Sequence, residues 1–141
     1  VREGSLMPLL LDTCAAIFAS EDRLSAKGVA ALNQAYEDEE PLFMSPITAW
    51  EVGLLAARGR LASPLSPLAW FERFTRRPDV RLVELSPAIL VASSFLPGWT
   101  ARDPADRILV ASAREMGLTI LTRDSTMLGY ARAGYVLASE C

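Results

Sequence analysis

The sequence contains no histidine and only two cysteines among its 141 residues. The absence of histidine excludes Ser-His-Asp and Cys-His nucleophile systems, and it removes the usual ligand of zinc, copper and haem sites. Cys14 and Cys141 lie far apart without a CxxC spacing, so the sequence indicates neither a zinc site nor a disulfide framework. We expect both cysteines to be inert small side chains.

Long apolar runs are also missing. No stretch approaches the roughly eighteen apolar residues that a membrane span needs, and MPLLL at 7–11 is too short for a signal-peptide core. We therefore expect no membrane association and a cytoplasmic location. With 51% apolar residues, a chain of this length is expected to form one domain with a real core.

Lysine is nearly absent, because thirteen of the fourteen basic residues are arginine, and the net charge is −3. The net charge gives no overall attraction to nucleic acid, although the planar guanidinium group suits bidentate phosphate contacts. A genome-wide arginine bias explains the same count, so the count alone does not indicate RNA binding.

Short apolar runs alternate with helical patterns from Met7 onward, whereas residues 1–6 show no periodicity and are interpreted as an extension or tag remnant. Strands are predicted at 8–11, 42–44, 81–85, 118–122 and 135–137, and helices at 25–38, 46–58, 66–74, 87–96 and 104–116. Strands separated by helices predict an α/β fold of three layers, α/β/α, around a central parallel sheet of four to five strands.

Two aspartates follow predicted strands. Asp12 comes directly after the leucine run at 9–11, and Asp124 follows the strand segment LTIL with two residues between. In open parallel sheets the functional crevice lies outside the carboxyl ends of the strands, so we expect both side chains there. Each also has an ordinary explanation, because an aspartate after a strand commonly caps the next helical turn.

Glu51 lies inside a predicted helix, and its neighbours on the same face, Ile47, Leu54 and Leu55, are all apolar. A charged carboxylate on a core-facing stripe costs roughly several kcal/mol unless it has a partner. Two interpretations stay open at this point. Glu51 is a functional acid, or it lies at the edge of the stripe and reaches water or Arg58.

Asp103 and Asp106 flank Pro104. An N-cap aspartate, a proline at the first helical position and a further acid two residues on describe a good helix start, and this explanation suffices for the pair taken alone. The continuation of that helix, ILVASA, is apolar or small on nearly every face. We therefore expect the start of the helix to be tucked against the sheet.

Taken together, Asp12, Glu51, Asp106 and Asp124 can converge at one end of a parallel sheet. Four converging carboxylates repel one another, which raises some of their pKa values and destabilises the site unless cations bind. Oxygen-only ligation suits Mg²⁺ or Mn²⁺ and not zinc. The sequence thus predicts a divalent-cation site at this end of the sheet.

Three segments carry a resemblance to a known family: LLLDT at 9–13, TAWEVGLLAARGR at 48–60 and DPADRILVASAREMGLTILTRD at 103–124. In acid identity, order and spacing they resemble the PIN domain, specifically the VapC-type toxin ribonucleases. The resemblance runs from Met7 to Leu137, and we take 7–141 as the PIN domain. It implies a Mg²⁺- or Mn²⁺-dependent endoribonuclease that acts as the toxin of a type II toxin–antitoxin module.

The resemblance also implies roles for single residues. Asp12, Asp106 and Asp124 match metal-binding aspartates, and Glu51 matches a helix glutamate that holds a water on the ion or orients the attacking water. Cleavage by this route leaves a 5′-phosphate and a 3′-hydroxyl. Three accessory positions lie near the implied site: Asp103, Thr13 and Thr48.

Arginines next to the acids in sequence are candidates for RNA-phosphate contacts, namely Arg102, Arg107 and Arg123. A denser basic stretch either tracks an RNA backbone or forms surface ion pairs with Glu72 and Asp79; it comprises Arg73, Arg76, Arg77 and Arg81. The aromatic residues on helical patterns are expected in the core or in interfaces: Trp50, Trp70, Phe71 and Phe74.

The implied partners are an RNA substrate, a second copy of the chain in a homodimer, and a cognate antitoxin. Contacts with both proteins are expected on the helices at 13–38 and 46–75, with a basic antitoxin side chain near the acids.

Three alternatives remain. The first is a PIN nuclease of RNA processing without an antitoxin, and the second is a protein-binding module whose acids only cap helices. A phosphoacceptor receiver domain would need an acid pair beside the first strand and a lysine near the last strand, whereas the only lysine is Lys27.

Overall fold

The structure is a computed structural model that describes residues 8–141. The predicted extension at 1–6 lies outside the described residues. The strands are β1 Leu9–Leu11, β2 Leu42–Met44, β3 Val80–Leu82, β4 Thr119–Thr122 and β5 Leu137–Glu140. The helices are α1 Thr13–Ser20, α2 Ala26–Glu37, α3 Pro46–Ala57, α4 Pro67–Thr75, α5 Pro87–Ala92, α6 Pro104–Met116 and α7 Ser125–Arg132.

The five strands form one sheet in the order β3-β2-β1-β4-β5, and every pairing is parallel. The central strand β1 is buried on both faces. Leu9 and Leu11 contribute to a core with residues of α3 and α4 such as Val52 and Trp70, whereas Leu10 contributes to a second core with Leu109 of α6. Helices therefore cover both faces, and the predicted three-layer α/β/α fold is confirmed.

Polar caps fix where the helices begin. The side chain before each described helix is a serine or aspartate that accepts a hydrogen bond from a backbone N–H of the first turn. Four of these helices, α3, α4, α5 and α6, also have proline in the first turn, where its missing N–H costs nothing. These local signals explain why most predicted helix starts agree with the structure.

Several predicted boundaries were wrong. The strand predicted at 81–85 is Val80–Leu82, because its partner β2 ends at Met44, where Ser45 begins to cap α3. The helix predicted at 87–96 ends at Ala92. The last strand runs over Leu137–Glu140 and not 135–137, because pairing with β4 decides its position more than its weakly apolar sequence does.

Helix α7 was not among the predicted elements, and α1 was included only in the range 13–38 without bounds of its own. The sequence of α1, TCAAIFAS, is small or apolar nearly all round and so lacks an amphipathic period, while α7 contains Gly129. Helix α1 begins directly after Asp12, which follows β1, and α7 begins directly after Asp124, which lies two residues beyond the end of β4. No helix within residues 8–141 is long and apolar enough to cross a membrane.

Candidate active site

Asp12 and Asp124 meet at the carboxyl edge of the sheet because β1 and β4 are neighbouring parallel strands. The Asp12 N–H donates to the Leu121 carbonyl at 3.2 Å, which extends the pairing by one residue. Each aspartate then caps a helix: Asp12 Oδ1 accepts from Ala15 N–H at 2.7 Å, and Asp124 Oδ1 accepts from Thr126 N–H at 2.7 Å. Asp12 and Asp124 therefore lie at the carboxyl ends of the strands, as predicted, and each also caps a helix, as the ordinary explanation predicted.

Thr122 connects these two aspartates. It is fully buried at the end of β4, and its Oγ1 donates to Asp12 Oδ2 at 2.5 Å while accepting the Asp124 N–H at 2.9 Å. Sequence reasoning missed this residue. The only available signal was a hydroxyl side chain at the end of an apolar strand, two positions before an acid.

Glu51 is bound by a hydroxyl from α1. Thr13 Oγ1 donates to Glu51 Oε1 at 2.5 Å, and the Thr13 and Thr48 hydroxyl oxygens are 3.1 Å apart. Since one hydroxyl carries one proton, Thr48 is the donor to Thr13 in this chain of contacts. Both threonines are buried, and the structure brings the two predicted accessory hydroxyls to the site.

Of the two interpretations of Glu51 that the sequence left open, its position at the edge of the apolar stripe agrees with the structure. The buried residues of α3 are Thr48 and Val52, whereas Leu54 is 36% exposed, so Glu51 lies at the edge of the buried face. The Arg58 partner considered from the sequence is absent, because within residues 8–141 no ion pair joins it to Glu51. The Thr13 hydroxyl is the partner of the Glu51 carboxylate instead.

The helix start at Asp103 agrees with the ordinary explanation drawn from the sequence. Asp103 Oδ1 accepts from the N–H groups of Ala105 and Asp106, at 2.8 and 3.2 Å. The Asp106 side chain is half-buried and accepts no hydrogen bond within the described part of the chain. Asp103 itself is exposed, and repulsion from its negative charge helps to raise the pKa values of Asp106 and Glu51.

One cleft of about 330 Å³ contains all four main acids. Its lining comprises Asp12, Thr13, Cys14, Phe18, Glu51, Asp106, Leu109, Arg123 and Asp124. The predicted convergence is therefore present in the structure. Three lining residues, Cys14, Phe18 and Leu109, were not predicted, and all three come from helices that begin at the sheet edge.

Burial and repulsion from neighbouring carboxylates make the carboxyl groups of Asp12, Glu51 and Asp106 hard to ionise. Burial, with added repulsion from the surrounding carboxylates, raises the pKa of Asp106 to about 7. Burial also raises the pKa of Asp12, against hydrogen bonds from Thr122 and Ala15 that lower it. The pKa of Glu51 is raised by burial, while the Thr13 hydrogen bond acts in the opposite direction.

The Cys14 thiol shares this environment. Cys14 is exposed at the mouth of the cleft, yet partial desolvation of the thiol and the neighbouring carboxylates raise its pKa to about 11, so the group stays protonated at neutral pH. A protonated thiol is a weak nucleophile and a weak ligand, which agrees with the prediction of an inert cysteine.

Of the three candidate phosphate-binding arginines, only Arg123 lines the cleft. Arg102 is exposed and Arg107 is half-buried on α6, and neither contributes to the cleft wall. In the denser basic stretch, two arginines form the ion pairs that the surface interpretation predicted, Arg76 with Glu72 at 3.7 Å and Arg77 with Asp79 at 3.2 Å.

The donor set of the cleft fits a hard divalent cation. Within residues 8–141 no three Asp, Glu or Cys side chains are arranged to hold one ion directly as they stand. Mg²⁺ does not require such a cage, since it keeps several waters and binds proteins through one or two carboxylates. The cleft contains four carboxyl groups that repel one another and have no basic ion-pair partner in the described chain. One or two of them are enough to bind the ion directly, and the others are left for contacts through water.

Comparisons with known proteins agree with this geometry. The sequence profile of the PIN domain matches residues 9–133. The chain is 31% identical to Ribonuclease VapC22 of Mycobacterium tuberculosis over 118 residues, which cover 82% of this chain and 86% of that protein.

Solved structures show the same fold. VapBC2 from Rickettsia felis, bound to a promoter DNA fragment, is similar with a TM-score of 0.69 and 13% identity over 95% of this chain and 98% of that one. DNA-bound VapBC from Salmonella typhimurium is similar with a TM-score of 0.65 and 18% identity over 96% and 98%.

Proposed function

This chain belongs to the PIN-domain family, and from that premise we propose that it is a VapC-type endoribonuclease, dependent on Mg²⁺ or Mn²⁺, that acts as a toxin. The observation that carries the proposal is the convergence of Asp12, Glu51, Asp106 and Asp124 in one cleft. The relative at 31% identity, named a ribonuclease, supports the choice of reaction.

Asp12, Asp106 and Asp124 would hold the cation, in part through water molecules. When bound, a divalent ion lowers the pKa of water and polarises the scissile phosphate. Asp12 is prepared for this role by Thr122 and Ala15, which fix both of its oxygens. Asp106 contributes a carboxylate that has no hydrogen-bond donor within the described residues.

Glu51 would orient the attacking water. Thr13 occupies Oε1, so Oε2 is left to accept a proton from water, and the contact between Thr13 and Thr48 fixes the direction of the carboxylate. In-line attack by this water breaks the bond from phosphorus to the 3′-oxygen, which leaves a 5′-phosphate and a 3′-hydroxyl.

The rival protein-binding module explains only part of the site. Asp12, Asp103 and Asp124 all cap helices, as that alternative requires. Asp106 and Glu51 cap nothing, and both carry raised pKa values because of burial. A purely structural role gives no reason to place these two carboxyl groups beside the caps.

The test is RNA cleavage with Mn²⁺, with EDTA, and with two matched variants. Asp106→Asn should lower cleavage at least about a hundredfold, since loss of an outer-shell partner alone costs ten- to a hundredfold. Asp22→Asn is the control, because Asp22 is exposed, lies outside the cleft, and has a positive φ of 55° that asparagine tolerates. Near-normal metal-dependent activity of Asp106→Asn would overturn the assignment.

A cognate antitoxin is part of the proposal. A groove of about 700 Å³ lies among α1, α2 and α4, the helices on which the sequence predicted such contacts. Its lining mixes polar side chains with apolar ones, among them Leu32, Tyr36, Trp70 and Phe74, and Arg73 lies beside these without an ion-pair partner in the described part. These features suit an amphipathic segment that carries an acidic side chain. The solved relatives named VapBC support this pairing.

Co-expression with any small protein that is encoded beside the gene tests the partner. We expect a stable complex that Tyr36→Asp weakens, since Tyr36 is 78% exposed in the groove. Absence of any complex would favour the RNA-processing alternative.

The homodimer and the cytoplasmic location stay predictions. Light scattering of the purified chain checks whether it forms a homodimer.

A further inference from the structure

Two arginines and a phenylalanine form a stack at the rim of the acidic cleft. The Arg123 guanidinium lies over the Phe18 ring, 4.2 Å from its centroid, and the Arg23 guanidinium lies 5.3 Å from the same centroid. Arg123 Nη2 also donates to the Arg23 carbonyl at 2.8 Å. We refer to Phe18, Arg23 and Arg123 as the rim stack.

The rim stack keeps Arg123 away from the carboxylates. Arg123 lines the cleft together with four acids, yet within residues 8–141 it forms no ion pair with any of them. An unrestrained guanidinium there would swing toward the negative charge. Contact with the ring face and the hydrogen bond to a backbone carbonyl hold it at the rim instead.

The two arginines differ in how their charges are compensated. Arg23 pairs with Glu21 at 3.2 Å, whereas Arg123 has no acidic partner in the described chain. A guanidinium stacked on a ring presents its remaining N–H groups at its edge, in the geometry that matches phosphate oxygens.

We propose that Phe18 is a positioning residue that holds the Arg123 guanidinium at the rim, where it binds an RNA phosphate next to the one being cleaved. The inference rests on the proposed function as a ribonuclease. The stacking of Arg123 on Phe18 separates the positive and negative parts of the site. The acids remain available to a cation, and Arg123 remains available to the substrate backbone.

Steady-state cleavage distinguishes positioning from mere packing. Arg123→Gln should raise KM about tenfold, the loss expected for a charge-assisted hydrogen bond, with a smaller effect on kcat. Phe18→Leu keeps an apolar side chain without an aromatic face and should raise KM about three- to fivefold. Phe18→Tyr keeps the ring and should restore the KM of the original protein.

A double variant and a charge-matched control complete the kinetic test. Phe18→Leu combined with Arg123→Gln should be no worse than Arg123→Gln alone, because the ring acts through the arginine. The control is Arg132→Gln, which removes one charge at the exposed far end of α7, outside the cleft, and should leave KM unchanged. Additive losses in the double variant would refute the positioning role.

Binding in EDTA gives a readout that does not require cleavage. With a short fluorescein-labelled single-stranded RNA of mixed sequence, Arg123→Gln should make the slope of log K against log salt less negative by about 0.7, the change for one lost phosphate contact. An unchanged slope, or no RNA binding by the original protein, would overturn the inference. Cleavage with Mn²⁺ is measured separately. If the original protein does not cleave RNA but Arg123→Gln still changes the salt slope, the proposed reaction is rejected and the phosphate contact is retained.

Discussion

Raising the pH should destabilise this protein in the absence of metal, and Asp106 should account for a measurable part of the effect. Its pKa is about 7 in the folded chain against an ordinary value of 3.8, because the carboxyl group is buried among other carboxyl groups. Between these two values the folded chain binds more protons than the unfolded chain, so the free energy of unfolding decreases as the pH rises. The contribution of the protonated Asp106 carboxyl group to the free energy of unfolding is complete below about pH 4 and lost above about pH 7.

The size of this effect can be bounded from the structure. A pKa of about 7 in place of 3.8 corresponds to at most about 4 kcal/mol. Water screens a half-buried side chain, so we expect about 1–2 kcal/mol from Asp106. The raised pKa values of Asp12 and Glu51 act in the same direction.

Urea unfolding in EDTA measures this effect at about pH 4 and about pH 8. Asp106→Asn removes the titrating group, so its unfolding free energy should fall less between the two pH values, whereas Asp22→Asn should behave as the original protein does. A free energy that stays constant or rises with pH, or an equal decrease in Asp106→Asn, would refute the electrostatic reasoning.

Three further predictions concern the site. Thr122→Val should lower the free energy of unfolding by about 1.5–3 kcal/mol in urea, since Asp12 and the Asp124 N–H each lose a buried partner; Thr122→Ser should lose much less. Thr13→Val should reduce kcat about tenfold in RNA cleavage by releasing Glu51, and Thr13→Ser should restore it. Mn²⁺ should raise the melting temperature of the original protein and not of Asp12→Asn, and an equal rise in both would place the ion elsewhere.

The sequence predicted most of the fold because its signals are local. Proline in the first turn after a capping serine or aspartate identifies helix starts at Pro46, Pro67, Pro87 and Pro104. Strand lengths and the short helices α1 and α7 were predicted less well. Pairing with a neighbouring strand sets the length of a strand, whereas α1 lacks an amphipathic period and α7 contains Gly129.

The candidate site was predicted in the same uneven way. The four acids could be selected because strand ends and helix starts place them at one edge of a parallel sheet, whatever the details of packing. The order of the strands decides which acids become neighbours. Asp12 and Asp124 are 112 positions apart in number, yet they lie on adjacent strands only because β4 pairs with β1.

The sequence by itself determined the parallel α/β/α fold, the family resemblance and the identity of the acids, because each depends on periodicity, capping and spacing along the chain. Only the tertiary structure decided the partners of those acids. Thr122 reaches Asp12, Thr13 reaches Glu51, and Phe18 holds Arg123 because strand order and helix packing bring distant segments together. Hydrogen bonds and ring contacts of this kind depend on three-dimensional proximity, which no spacing along the chain encodes.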